Sequence, residues 1–79
     1  MKYNRDSKYL KLLGKRIKSI REDQEISQAQ LAFESGVRIN QIGRIERGEI
    51  NTGISTLLAI SEALDIQITE LVNVKHKKK

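Results

Sequence analysis

The chain contains no cysteine and only one histidine, His76, among its 79 residues. A disulfide framework is therefore impossible, and a zinc site would lack the three or four cysteine and histidine ligands that it needs. These absences exclude redox and metal-ion chemistry, and we expect no metal and no cofactor.

Long apolar segments are absent as well. The longest uninterrupted apolar run, Leu57 to Ile60, has four residues, whereas a membrane-spanning helix needs about 20. Residues 1–6 lack the apolar stretch of a signal peptide. We therefore expect a protein that does not enter a membrane and that is located in the cytoplasm.

The composition predicts one small globular domain, because 38% of the residues are apolar and 32% are charged. The net charge of +5 is distributed in blocks. Residues 1–21 carry a net charge of +7 and residues 38–47 carry +2, whereas residues 22–37 and 48–74 carry −4 each. Residues 75–79 add +4. Such segregation favours a protein with one side that faces a polyanion.

The spacing of apolar residues predicts the first three helices. From Leu10 to Ile20 they recur at intervals of three and four, which indicates an amphipathic helix from about residue 7 to residue 24. Ser27 and Gln30 form a Ser-x-x-Gln capping box that opens a second helix. Gly36 is typical of the left-handed residue that ends a helix, and a third helix follows within two residues.

Two further helices follow the third, which is expected to end at Gly48. Ser55 is expected to cap a fourth helix that runs through about Leu64. Thr69 is the expected cap of a short fifth helix. The predicted fold class is all-α, a bundle of five helices. The predicted divisions are an N-terminal extension, a folded domain and a basic tail, at residues 1–7, 8–74 and 75–79.

Residues 27–48 have the layout of a helix-turn-helix unit, in which two short helices meet at a tight turn containing glycine. The segment SQAQLAFESGVRINQIGRIERGE resembles the DNA-binding segment of the phage-repressor, Cro and Xre type. LGKRIKSIRE upstream and INTGISTLLAISEALDIQITELV downstream are similar to the first and the last two helices of that family. The resemblance covers about residues 10–72 and implies a lambda-repressor-like bundle that binds double-stranded DNA.

Two positions depart from the family pattern. The family often has Ser, Thr or Asp where this chain has Arg38, and frequently has proline near Gly53. Arg38 leaves the third helix without its usual side-chain cap, at a cost of roughly 0.5 to 2 kcal/mol unless another group serves.

Stepping 100° per residue along the third helix separates two faces. Ile42 and Ile45 point inward, and the opposite face contains no apolar side chain. Because Asn pairs bidentately with adenine and Arg with guanine, Asn40 and Arg44 are the leading candidates for reading bases. The alternative is a solvated face. The remaining candidate DNA-binding residues of this helix are Arg38, Ile39, Gln41, Gly43 and Arg47.

Three of these residues have distinct expected roles. Gly43 can let the helix backbone lie close to the DNA groove, or it can be a neutral interior glycine. Ile39 can contact a thymine methyl group or cover the edge of the core. Arg47 is interpreted as a phosphate contact.

The start of the second helix offers a further phosphate contact. Gln28 at the first helical position, together with the exposed N–H groups there, can hold a phosphate, a role that the family resemblance also implies. Ser27 is also a candidate DNA-binding residue: its hydroxyl is interpreted as the helix cap, and the N–H groups beside it can hold a phosphate. Lys15, Arg16 and Lys18 can contact flanking phosphates or form a solvated face, and the basic tail can add nonspecific affinity or only solubility.

Arg21 and Glu46 are interpreted differently. Glu46 is displaced from the outward face of the third helix toward the first helix, where Arg21 ends the apolar stripe. The resemblance implies a structural ion pair between them, which positions the helices and reads no base.

The predicted function is a sequence-specific transcriptional regulator, and no catalytic constellation is present in the sequence. A homodimer on a pseudo-palindromic operator is expected because one module of this size covers one half-site. The alternative is an interaction module such as an antitoxin, with DNA binding secondary. We expect no small-molecule substrate. The apolar residues that can form the dimer contact, or finish the monomer core, are Ile66, Ile68, Leu71, Val72 and Val74.

Overall fold

The computed structural model describes residues 4–74, with side chains from residue 7 onward. All the regular elements in this range are helices, which confirms the predicted fold class. None of them combines the length and hydrophobicity needed to cross a bilayer. The five helices are α1 (Asn4–Asp23), α2 (Gln28–Ser35), α3 (Ile39–Glu46), α4 (Ile54–Ala63) and α5 (Ile68–Val72).

One apolar core joins the five helices. Ile17 of α1, Leu31 of α2 and Ile42 of α3 are fully buried in it, as are Ile60 of α4 and Leu71 of α5. Every helix therefore contributes at least one side chain that water does not reach. Because burying such a side chain stabilises the fold by about 1.5 to 3 kcal/mol, these contacts hold α2 and α3 in a fixed orientation.

Helix α2 begins and ends where its sequence predicts. The Ser27 hydroxyl accepts a hydrogen bond from the backbone N–H of Gln30 at 3.0 Å. The Gln30 side chain donates to Glu34 instead of reaching back to Ser27, so only half of the predicted capping box forms. Gly36 ends α2 in the left-handed conformation, with φ of 76°. Arg38 is the N-cap residue of α3, and its side chain forms no capping hydrogen bond in the described part of the chain, as the sequence predicts.

Three helix starts differ from the prediction. Helix α1 begins at Asn4 rather than near residue 7, so residues 4–7 continue the helix. Gly53 rather than Ser55 is the N-cap of α4, and Gln67 rather than Thr69 precedes α5. A cap is defined by its extended backbone conformation, which both residues adopt, and the polar residues slightly further on lie inside the first turn.

Helix α1 approaches the end of α3 very closely at Gly14. A Cβ atom at this position would clash with the backbone carbonyl oxygens of Ile45 and Glu46. Glycine is needed here because no side chain fits between the two backbones. This contact and the buried side chain of Ile17, one turn further along α1, set the distance between α1 and α3.

Candidate nucleic-acid interface

Helix α3 has a buried face and an exposed face. Ile42 is fully buried and Ile45 is 3% exposed, as the helical spacing predicts. Asn40 and Arg44 are exposed on the other side. Ile39 is 52% exposed, so about half of its surface is open to solvent.

The exposed face of α3 borders a shallow recess of about 220 Å³ that opens to solvent. Four of its five lining residues carry amide or guanidinium groups, which donate hydrogen bonds. The two candidate base readers therefore lie in one concave, donor-rich surface. The lining residues are Arg38, Asn40, Gln41, Arg44 and Ile50.

The predicted ion pair between α1 and α3 is present and buried. The Arg21 Nε atom donates to Glu46 Oε2 at 2.7 Å, and Nη2 donates to Oε1 at 3.0 Å. Nη1 donates to the carbonyl oxygen of Ile26 at 2.9 Å. The hydrogen bonds to Glu46 raise the pKa of Arg21 above its ordinary value, against the opposing effect of burial. The guanidinium thus links α1, α3 and the loop before α2.

Gln28 extends this network rather than pointing to solvent. Its side-chain Nε2 donates to Glu46 Oε1 at 3.0 Å, and the residue is half-buried. The side-chain amide that the sequence suggests for a phosphate is therefore already engaged in the protein. The reason is that one carboxylate has enough lone pairs to accept from both Arg21 and Gln28.

Gly43 is buried, although the helical projection places it on the outward face. It lies at the edge of that face, where the Arg47 side chain folds back over it and Gln28 lies beside it. A Cβ atom on Gly43 would be 3.1 Å from Arg47 Nη1 and 3.7 Å from Gln28 Oε1. The missing side chain thus makes room for Arg47 in this structure.

Glu49, which the sequence analysis did not select, contacts two of the candidate residues. Its Oε2 accepts from Arg47 Nε at 2.7 Å, and its Oε1 lies 3.7 Å from Arg44 Nε. The residue follows the end of α3, so a projection restricted to the helix does not include it. In the sequence, the contact is indicated only by the position of this acidic residue two places after Arg47.

The basic residues of α1 differ in their surroundings. Arg16 Nε donates to the backbone carbonyl of Glu70 at 2.8 Å, which ties α1 to α5. Lys15 and Lys18 are exposed. The basic tail at residues 75–79, including His76, lies outside the described residues.

Comparison with known proteins identifies the family. A helix-turn-helix family model matches residues 17–71, which is most of the chain. The chain belongs to this helix-turn-helix family of DNA-binding transcriptional regulators, which confirms the resemblance to the Xre and phage-repressor type. Members of the family are regulators rather than enzymes.

Individual relatives are regulators of two kinds. The chain is 38% identical over 60 residues to the immunity repressor protein of Bacillus phage phi105, covering 76% of this chain and 42% of the repressor. It is 36% identical over 61 residues to control protein C.SmaI of Serratia marcescens, covering 77% of this chain and 73% of that protein. The chain therefore spans less than half of the phage repressor.

A solved structure has the same fold. The restriction-modification controller protein C.AhdI from Aeromonas hydrophila superposes with a TM-score of 0.78 at 37% identity. The match covers 78% of this chain and 94% of that one. These relatives are named as repressors and control proteins, which favours a regulator over the antitoxin alternative.

Proposed function

We propose that this protein regulates transcription by placing α3 in the DNA major groove and reading base edges there. The observation that carries the proposal is the exposure of Asn40 and Arg44 on a helix whose opposite side is locked by Ile42 and Ile45. A rigidly held helix keeps its donors in one arrangement, and a fixed arrangement can distinguish one base sequence from another.

The proposed base readers use complementary chemistry. Arg44 presents a planar guanidinium for the O6 and N7 acceptors of guanine, and Asn40 presents an amide for the N6 and N7 groups of adenine. Gln41 and Arg38 line the same recess and are proposed to contact bases or phosphates at its edge. Ile39 is proposed to contact a thymine methyl group, because half of its surface remains open to solvent.

Phosphate contacts are proposed on both sides of these readers. The first N–H groups of α2, after Ser27, carry the partial positive charge of a helix N-terminus and suit a phosphate oxygen. Because the Gln28 side-chain amide already donates to Glu46, the proposed contact at Gln28 uses its backbone N–H. Arg47 is proposed as a second phosphate contact, and Gly43 leaves the space in which its side chain lies.

A homodimer on a pseudo-palindromic operator is part of the proposal. Two modules add their contacts when their half-sites lie about one helical turn apart. Leu71 is fully buried and belongs to the monomer core, and Ile66 and Ile68 pack against that core. Val74 is half-buried. Of the residues expected from sequence, Val72 is therefore the best candidate for the contact, since it is 44% exposed.

Helix α4 carries a second pair of exposed apolar residues. Ile54 is 69% exposed and Leu58 is 45% exposed, and they lie one turn apart on the same side of α4. Helices α4 and α5 pack against each other. We therefore assign the dimer contact to the exposed apolar residues of these two helices, and we expect the regulator to act in the cytoplasm.

Selection from a random DNA pool tests the proposal. Wild-type protein should enrich one sequence, and Arg44→Ala and Asn40→Ala should each weaken binding to it by roughly 1 to 3 kcal/mol more than binding to other DNA. Arg47→Ala is the control, because the loss of its proposed phosphate contact reduces the affinity for all sequences alike. If wild type enriches no sequence and its binding depends only on salt, the proposal is wrong.

A further inference from the structure

Glu49 lies between the two arginines that the proposed function uses. Its carboxylate accepts from Arg47 through Nε at 2.7 Å and through Nη2 at 3.3 Å. The Oε1 atom is also 3.7 Å from Arg44 Nε. All three side chains remain about half exposed, so the pairing occurs on the open surface of α3 rather than in the core.

The backbone fixes Glu49 in this position. Its N–H donates to the carbonyl of Arg44 at 2.9 Å, and the N–H of Gly48 donates to the carbonyl of Ile45 at 3.0 Å. These two bonds form a Schellman motif that ends α3. Gly48 has a φ of 73°, and a Cβ atom on it would lie 2.7 Å from the Cα of Lys11, so the turn cannot easily relax.

Three positively charged side chains act on Glu49. Arg47 and Arg44 contact it from α3, and Lys11 of α1 adds a longer-range attraction that, with them, holds the pKa of Glu49 below its ordinary value. The carboxylate is therefore ionised at neutral pH. A DNA phosphate that approaches Arg47 meets a guanidinium whose Nε and Nη2 donors are already satisfied.

We propose that Glu49 is a specificity-determining residue that competes with DNA phosphate for Arg47 and keeps the side chain of Arg44 oriented. This inference rests on the proposed function of α3. It assigns a role in DNA recognition to an acidic residue, which by its charge alone would only weaken binding.

The two effects of Glu49 differ between DNA sequences. On nonspecific DNA only phosphate attraction matters, and Glu49 opposes it by neutralising one arginine charge. On the selected sequence Arg44 contacts a base edge, and the nearby carboxylate limits the conformations that its long side chain must lose on binding. Glu49 thus reduces nonspecific affinity more than specific affinity.

The test compares Glu49→Gln with Glu34→Gln. The first substitution keeps the shape of the side chain and removes its charge. The second removes the same charge from an exposed residue of α2, outside the proposed dimer surface, whose carboxylate accepts from the uncharged amide of Gln30 and forms no ion pair within the described residues. Affinities of wild type and both variants are measured for the selected DNA and for a scrambled duplex, over a series of salt concentrations.

Glu49→Gln should bind the scrambled duplex roughly two- to fivefold more tightly than Glu34→Gln does, the range expected for release of a surface ion pair. Its salt dependence should steepen by up to about one unit of slope, as for one added phosphate contact. The ratio of specific to nonspecific affinity should fall. Equal behaviour of the two variants on both duplexes would overturn the inference.

A measurement without DNA separates this inference from the proposed function. In the free protein, the Nε–H signal of Arg47 should exchange slowly with water, and the protection should be lost in Glu49→Gln but kept in Glu34→Gln. An unprotected Arg47 in wild type would overturn the inference even if the protein selects a DNA sequence. If wild type selects no sequence, the proposed function fails while the pairing of Glu49 with Arg47 is still measured.

Discussion

Arg21 and Glu46 form a bidentate ion pair in which Nε to Oε2 is 2.7 Å and Nη2 to Oε1 is 3.0 Å. Arg21 is 8% exposed and Glu46 is 5% exposed, so the pair is almost completely shielded from water. It joins α1 to the last residue of α3. The orientation of the candidate reading helix therefore depends on this pair.

Arg21→Met should destabilise the fold by about 3 to 5 kcal/mol, because it leaves the carboxylate of Glu46 buried without its main partner. Urea unfolding followed by circular dichroism measures the loss. The double variant Arg21→Met with Glu46→Leu is the control, since removing both charges together should restore most of the stability. A loss below about 1 kcal/mol for Arg21→Met, typical of a surface pair, would contradict the structural role.

Gly14→Ala should destabilise the protein by roughly 1 to 3 kcal/mol, because the added methyl group overpacks the contact between α1 and α3. Alanine is a better helix former than glycine by about 1 kcal/mol, so helix propensity alone predicts the opposite sign. Ser19→Ala, at an exposed position of the same helix, is the control and should not destabilise. Thermal unfolding of both variants shows whether the overpacking at Gly14 or the higher helix propensity of alanine has the larger effect on stability.

The carboxyl group of Glu49 should titrate below its ordinary value of 4.5, because hydrogen bonds from Arg47 stabilise its charged form. Because the pKa is lower in the folded state, the ion pair stabilises the fold fully when the pH is above the ordinary pKa of the unfolded chain. This stabilisation is lost as the pH falls through the lowered pKa of the folded protein. Side-chain carbon chemical shifts measured from pH 7 downward give the midpoint. In Arg47→Gln the midpoint should rise toward the ordinary value, and an unchanged midpoint would contradict the assigned cause.

Leu58→Asp and Val72→Asp should each shift the protein from dimer to monomer while the helical content stays the same. A charge at either position would be buried in the proposed contact, and burying an unpaired charge is strongly unfavourable. Sedimentation velocity at several concentrations measures the change. Phe33→Asp is the control, because Phe33 is 84% exposed but lies on α2, outside the proposed surface. Dissociation by Phe33→Asp alone would show that the contact is elsewhere.

The helices and the inward side of α3 were predictable from sequence because both follow from short-range periodicity. Apolar side chains at spacings of three and four must face one side of a helix, and Ile17, Ile42 and Ile45 are buried accordingly. The turn at Gly36 was predictable for a similar reason, since a left-handed residue after a helix strongly favours glycine.

The finer features of the site depended on long side chains and on contacts distant in sequence. A helical projection gives the direction in which a side chain leaves the helix, but not where its end lies. Arg47 folds back over Gly43, and Gln28 turns inward to Glu46. The sequence analysis did not identify Gly14 as a packing residue, because the need for glycine comes from the close approach of the α3 backbone, which is distant in sequence.

The most direct test of base reading by α3 combines Arg44→Ala with a modified operator. At the base pair where Arg44→Ala loses discrimination, guanine is replaced by 7-deazaguanine, which lacks the N7 acceptor. Affinities of wild type and variant are then measured for both duplexes. The modification should weaken wild-type binding by about 1 kcal/mol and leave Arg44→Ala unaffected, since the lost acceptor has no partner in the variant. Equal weakening of both proteins, or of neither, would contradict the assignment of Arg44 to that base.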